Sequence, residues 1–155
     1  MNDYQERLCR EQGLLFELSA ERFSCASSWF IDRFMHSQIA KRMDKEDPFG
    51  FEPSSVMADE MEDSFPSLKE RTGQKYPEAV LHWIGYVYRY WAYTYEISSK
   101  NLFLKVPVRL IADRYELYHS MDVEYVIERI IEEDLIVFDT KKLIQELLSS
   151  YVDKH

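Results

Sequence analysis

Residues 83–95 read Trp-Ile-Gly-Tyr-Val-Tyr-Arg-Tyr-Trp-Ala-Tyr-Thr-Tyr, so seven of thirteen positions are Trp or Tyr. Each such ring can bury roughly 150–250 Å² and carries a polar tip that wants a partner, so the stretch must be enclosed by the rest of the chain or by a ligand. A strand is a serious reading, because Tyr86, Tyr88 and Tyr90 alternate, as do Trp91, Tyr93 and Tyr95, and tyrosine favours strands. The phase slips between Tyr90 and Trp91, however, and a strand with one face inward cannot change phase without a bulge. The run from Pro77 to Glu96 also exceeds the usual strand length of about 3–10 residues. On a helix, Val80, Trp83, Ile84, Val87, Trp91 and Tyr95 line one side, and Tyr86, Tyr90 and Tyr93 extend it around the cylinder. Helix is therefore the better account. Gly85 then either admits a neighbouring helix closely or costs about 1 kcal/mol relative to Ala.

The segments on either side carry the same periodicity. Leu8, Leu14, Leu15 and Leu18 mark an apolar side of a first helix from Asp3 to Leu18, with Gly13 weakening its middle. A second helix starts near Ser27 or Ser28, bears Phe30, Ile31, Phe34, Met35 and Ile39, and stops near Asp44. Pro66 opens a short turn of helix ending at Gly73. Ser98 or Ser99 caps a helix through Leu104, Pro107 restarts it towards His119, and Asp122 caps the cleanest amphipathic pattern, with Val123, Val126, Ile127, Ile130 and Ile131 inward. Leu135 to Phe138 reads as a buried connector before a last helix bearing Leu143, Ile144, Leu147, Leu148 and Tyr151, which closes the bundle or meets a second copy of the chain.

A length of 155 residues fits one domain with one continuous core. Only four Gly and five Pro occur, too few for the regularly spaced turns of a sandwich or barrel. The expectation is an all-α single domain over residues 1–155, a bundle of five to seven helices around the aromatic helix. A net charge of −9 disfavours phosphate neutralisation, so nucleic acid is not an expected direct partner. The stretch 79–95 contains His82 and Arg89 and fails as a bilayer span, and no signal-like start is present, which points to the cytoplasm and away from a membrane. Cys9 and Cys25 lack ligand or redox spacing and read as reduced thiols.

Residues 44–63 differ in composition: eight acids against Lys45 give a net −7 of the chain's −9, with Pro48, Gly50 and Pro53 among them. This predicts an acidic mobile loop at about 44–65 with one short helix. The sharper reading is an arm that docks on a basic partner, with Phe49, Phe51, Val56 and Met57 as apolar anchors and Glu52, Asp59, Glu60 and Glu62 as charges. Removing residues 46–63 is then expected to leave the fold intact and abolish the partner.

No Walker loop, Gly-x-Gly-x-x-Gly, Gly-x-Ser-x-Gly, His-Glu-x-x-His or calcium loop occurs, and nothing calls for a cofactor or metal. Arg89 cannot lose its proton, so if buried it needs a carboxylate or a ring. The alternative is an anion pocket built from Tyr86, Arg89, Tyr90, Tyr118 and His119. His119 sits at a helix end, where it complements the helix dipole. Arg114 and His119 also resemble the arginine–histidine spacing of the HEPN group of small helical ribonucleases, in which the two side chains converge on a scissile phosphate. On a helix, though, five steps of 100° place the pair about 140° apart.

The strings Trp83-Ile84-Gly85-Tyr86-Val87-Tyr88-Arg89-Tyr90-Trp91, Ser98-Ser99-Lys100 and Tyr118-His119 with Asp122, together with Phe30-Ile31-Asp32-Arg33-Phe34-Met35, resemble a group of small bacterial proteins, mostly from Firmicutes, that has no established activity. The resemblance spans most of residues 27–133 and implies an association with toxin–antitoxin or mobile-element genes. The expected function is a non-enzymatic protein-interaction module, antitoxin-like or regulatory, with a small-ligand binder or HEPN-like ribonuclease using Arg89 or Arg114 with His119 as the alternative.

Overall fold

The computed structural model describes residues 1–47, 52–138 and Leu148, and apart from Leu148 the last helix expected after Asp139 lies outside them, as do Phe49 and Phe51. The described residues form ten helices and no strand. Seven have seven residues or more: α1 (Asp3–Arg22), α2 (Ser27–Met35), α3 (Gln38–Asp44), α4 (Ser54–Ser64), α6 (Glu78–Thr94), α7 (Ser99–Lys105) and α10 (Val123–Asp134). The other three are single turns: α5 (Ser67–Glu70), α8 (Val108–Ala112) and α9 (Tyr115–Tyr118). The aromatic stretch is α6, and α1, α7, α8 and α10 pack on it.

Because α6 has neighbours on several sides, its burial is wider than one stripe. Leu81, Trp83, Ile84, Val87, Tyr88, Arg89, Trp91 and Ala92 are all buried, whereas Tyr95 at the end of the expected stripe is 39% exposed. The tyrosine tips find backbone acceptors: Tyr88 donates to the Val106 carbonyl at 2.6 Å and Tyr93 to that of Met43 at 2.8 Å. The Trp83 and Trp91 indole N–H groups find no acceptor among the described residues. The α1–α6 contact is set by glycines. A Cβ on Gly85 would lie 2.7 Å from the Gln12 carbonyl oxygen and 3.0 Å from the Gly13 Cα, and one on Gly13 would lie 2.9 Å from the His82 carbonyl oxygen. Gly85 thus admits a close neighbour, and Gly13, which weakens α1 locally, belongs to the same contact.

Capping sets most boundaries. Asn2 and Gln5 form a capping box at α1, Ser98 accepts from the Asn101 N–H at the start of α7, and Asp122 accepts from the Glu124 N–H at the start of α10. The helix expected from Ser27 to Asp44 is broken, because Ser37 caps a fresh start by accepting from the Ala40 N–H. The run from Pro107 to His119 is likewise split at Asp113–Arg114. Leu135, expected within a buried connector, is 84% exposed with φ 52°, while Phe138 packs on Trp91 with ring centroids 5.5 Å apart.

The acidic region holds the one short helix expected there, but that helix is docked into the bundle. It is α4, whose Met57, Ala58 and Met61 are buried and which packs on α1. Residues 54–64 are thus an integral part of the bundle, and removing 46–63 would bare the α1 face that they cover. No described helix is long and apolar enough to cross a membrane.

Candidate functional site

Arg89 is a fully enclosed cation within α6. Its Nε donates to Gln12 Oε1 at 2.8 Å, its Nη1 to Asp44 Oδ1 at 2.6 Å and its Nη2 to Ser99 Oγ at 2.8 Å. Ser99 in turn donates from Oγ to Asp44 Oδ1 at 2.6 Å and from its backbone N–H to Oδ2 at 2.9 Å. The Tyr93 ring lies 5.2 Å from the guanidinium carbon. One side chain therefore ties α6 to α1, to the end of α3 and to the start of α7. Asp44 is the counter-ion of this cluster, although its place in the acidic run hides that role.

The expected pocket of Tyr86, Arg89, Tyr90, Tyr118 and His119 is not assembled by these contacts. Tyr86 and Tyr90 stack on each other at 6.3 Å. Tyr118 donates to Glu133 Oε1 at 2.6 Å. His119 Nδ1 meets the Tyr115 carbonyl at 2.7 Å, with its ring stacked on Tyr115 at 4.4 Å. Arg114 pairs with Glu133 at 2.9 Å and Asp134 at 2.7 Å, and donates to the Leu110 carbonyl. Hydrogen bonding from Tyr118, then from Arg114, holds the Glu133 carboxyl below the usual carboxylate range.

Three of the four charges expected to meet a partner, Asp59, Glu60 and Glu62, have partners within the chain. Arg22 pairs with Asp59 at 2.5 Å and Glu62 at 2.7 Å, Lys69 also pairs with Glu62, and Arg42 grips both oxygens of Glu60 at 2.9 Å. Arg22, then Lys69, holds the Glu62 carboxyl below its ordinary range. Glu52 is half-buried beside the start of α4. Cys9 and Cys25 are free and buried, and burial pushes the Cys9 thiol up to about 12, the reverse of what a nucleophilic thiol requires. Among the described residues no group of three or more His, Cys, Asp or Glu is placed to hold a metal ion.

An open site lies elsewhere, where the first turn of α2, the extended segment after α5 and the α7–α8 corner meet. The segment is held against α2: the Ser27 N–H donates to the Gln74 carbonyl at 3.0 Å, and the Tyr76 N–H donates to Ser27 Oγ at 3.0 Å. Gly73 permits this approach, since a Cβ there would lie 2.6 Å from that of Ala26. The cleft so formed holds a cavity of about 350 Å³ with Trp29, Phe103, Pro107 and Val108 as its apolar wall and Arg71 and Asp32 as its charges. A second cavity of about 410 Å³ shares Ala26 and Ser28 with it and reaches Lys75 and Tyr76. Trp29 is braced by its Nε1 donating to Ser67 Oγ at 3.1 Å, and two guanidinium carbons lie near its ring, Arg71 at 3.8 Å and Arg33 at 4.5 Å from the centroid. Trp29 and Arg33 at helical i,i+4 spacing offer a local signal for half of this arrangement. Arg71 arrives through a contact across 42 positions of sequence, which no local pattern reports.

Comparison with protein-family models, curated proteins and solved structures gives no match to this chain.

Proposed function

We propose that this chain is a non-enzymatic protein-interaction module, antitoxin-like or regulatory in role, and that it docks its partner in the Trp29–Phe103 cleft. The observation that carries this reading is the cleft itself: an open concavity with a half-buried Trp and Phe, proline and valine beside them, and a charged rim. Aromatic and arginine side chains around a partly desolvated centre are the composition of interaction hot spots. The acidic residues of α4 are a weaker docking surface, because a partner would have to displace Arg22, Arg42 and Lys69.

Ser28 is exposed and lines both cavities, so Ser28→Trp fills the cleft while leaving the core untouched. Immobilised wild type should enrich a partner from native lysate that Ser28→Trp fails to capture. Equal capture of the same proteins by both would sink the cleft as the docking surface. For the ribonuclease alternative, cleavage of structured RNA should not distinguish wild type from His119→Ala, and a loss of cleavage on that substitution would favour the enzyme.

A further inference from the structure

Arg71 uses its guanidinium differently from the ion-paired arginines. Arg22, Arg33, Arg42, Arg89 and Arg114 each meet a carboxylate within 4.0 Å. Arg71 meets none among the described residues, and its side chain makes no hydrogen bond there. It is exposed, yet its guanidinium carbon is held 3.8 Å from the Trp29 ring centroid. A guanidinium laid on an indole loses conformational freedom while its in-plane N–H donors stay available, and that edge matches a carboxylate bidentately. Preorganisation of this kind lowers the cost of binding. The same cavity presents Phe103, Pro107 and Val108. Its chemistry is therefore one rigid anion fork beside an apolar floor.

Two features select among anions. Asp32, paired with Arg33 at 2.6 Å, lies in the same cavity, and the chain carries a net −9. Both penalise a phosphate dianion or a polyanion more than a single carboxylate. Resting on the interaction role proposed above, we infer that the cleft takes a peptide segment of the partner in which an Asp or Glu side chain engages the Arg71 fork and an adjacent apolar side chain seats on Phe103, Pro107 and Val108.

The test is selection of a random peptide library on the full chain, followed by fluorescence anisotropy of an enriched peptide against wild type, Arg71→Ala, Arg71→Lys and Ser28→Trp. Circular dichroism melts confirm that each variant is folded, as expected for exposed positions. Enriched peptides should carry Asp or Glu beside an apolar residue. Arg71→Ala and the Glu→Gln peptide should each weaken binding by about tenfold or more, the scale of a charge-assisted hydrogen-bonded pair. Arg71→Lys should recover little of that loss, since lysine keeps the charge without the fork. Peptides blocked by Ser28→Trp but indifferent to Arg71→Ala would overturn this assignment while leaving the cleft as a docking site. Peptides indifferent to both would overturn the cleft as well. Tighter binding when phosphoserine replaces the glutamate would overturn the choice of a carboxylate.

Discussion

Arg89 shows how one residue can determine the positions of several helices. A buried guanidinium without its carboxylate is an uncompensated charge, and breaking such a pair from one side costs about 3–5 kcal/mol. Asp44→Ala should therefore lower unfolding stability by about that amount in urea titration, and a loss below about 1 kcal/mol would show that Arg89 finds other support. Exposed pairs differ in scale. Arg22 with Asp59 sits at the surface, where ion pairs are worth about 0–1 kcal/mol each. The need of Arg89 for a partner was legible in the sequence, because arginine cannot neutralise itself. Which carboxylate answers was hidden, since Asp44 is 45 positions away inside a run of other acids.

At the scale of elements, the glycine contact between α1 and α6 is a steric demand, and the acidic helix α4 is an electrostatic one. Gly85→Ala places a methyl group against the α1 backbone, and overpacking of that kind costs about 1–3 kcal/mol. A melting temperature equal to or above wild type would contradict the close approach. In α4, Glu62 titrates below its ordinary range because Arg22 and Lys69 hold its charged form. A carboxyl depressed in the folded state supports folding above its unfolded pKa, and that support is lost as pH falls through the lower folded value. Glu62→Gln should thus melt below wild type at neutral pH, with the gap closing as pH falls below the ordinary carboxylate range, and a gap that is constant with pH would contradict the assignment. Periodicity and caps made α1, α6, α7 and α10 readable, each at close to its observed limits. In the acidic region the short helix was legible but its docking was not, for a physical reason: charge lowers the expectation of order, but Met57, Ala58 and Met61 bury one face while Asp59, Glu60 and Glu62 find cations.

Across the whole molecule, the aromatic stretch that decides the fold is used inward, as the hub on which α1, α7, α8 and α10 pack. The rings that line the cleft lie outside that stretch. Trp29 and Phe103 come together only because α2, the segment after α5 and the α7–α8 corner converge, so no single window of sequence contains the cleft. The charge balance has the same character. A net −9 describes the chain, yet an arginine stacked on Trp29, with no carboxylate within 4.0 Å among the described residues, stands at the mouth of this concavity. The most direct test of the cleft as the docking surface is amide hydrogen exchange on the full chain, alone and with its captured partner. Protection on binding should fall on residues 26–29, 71–76 and 103–108. Protection confined to residues 54–64, with the cleft exchanging as in the free chain, would contradict the account.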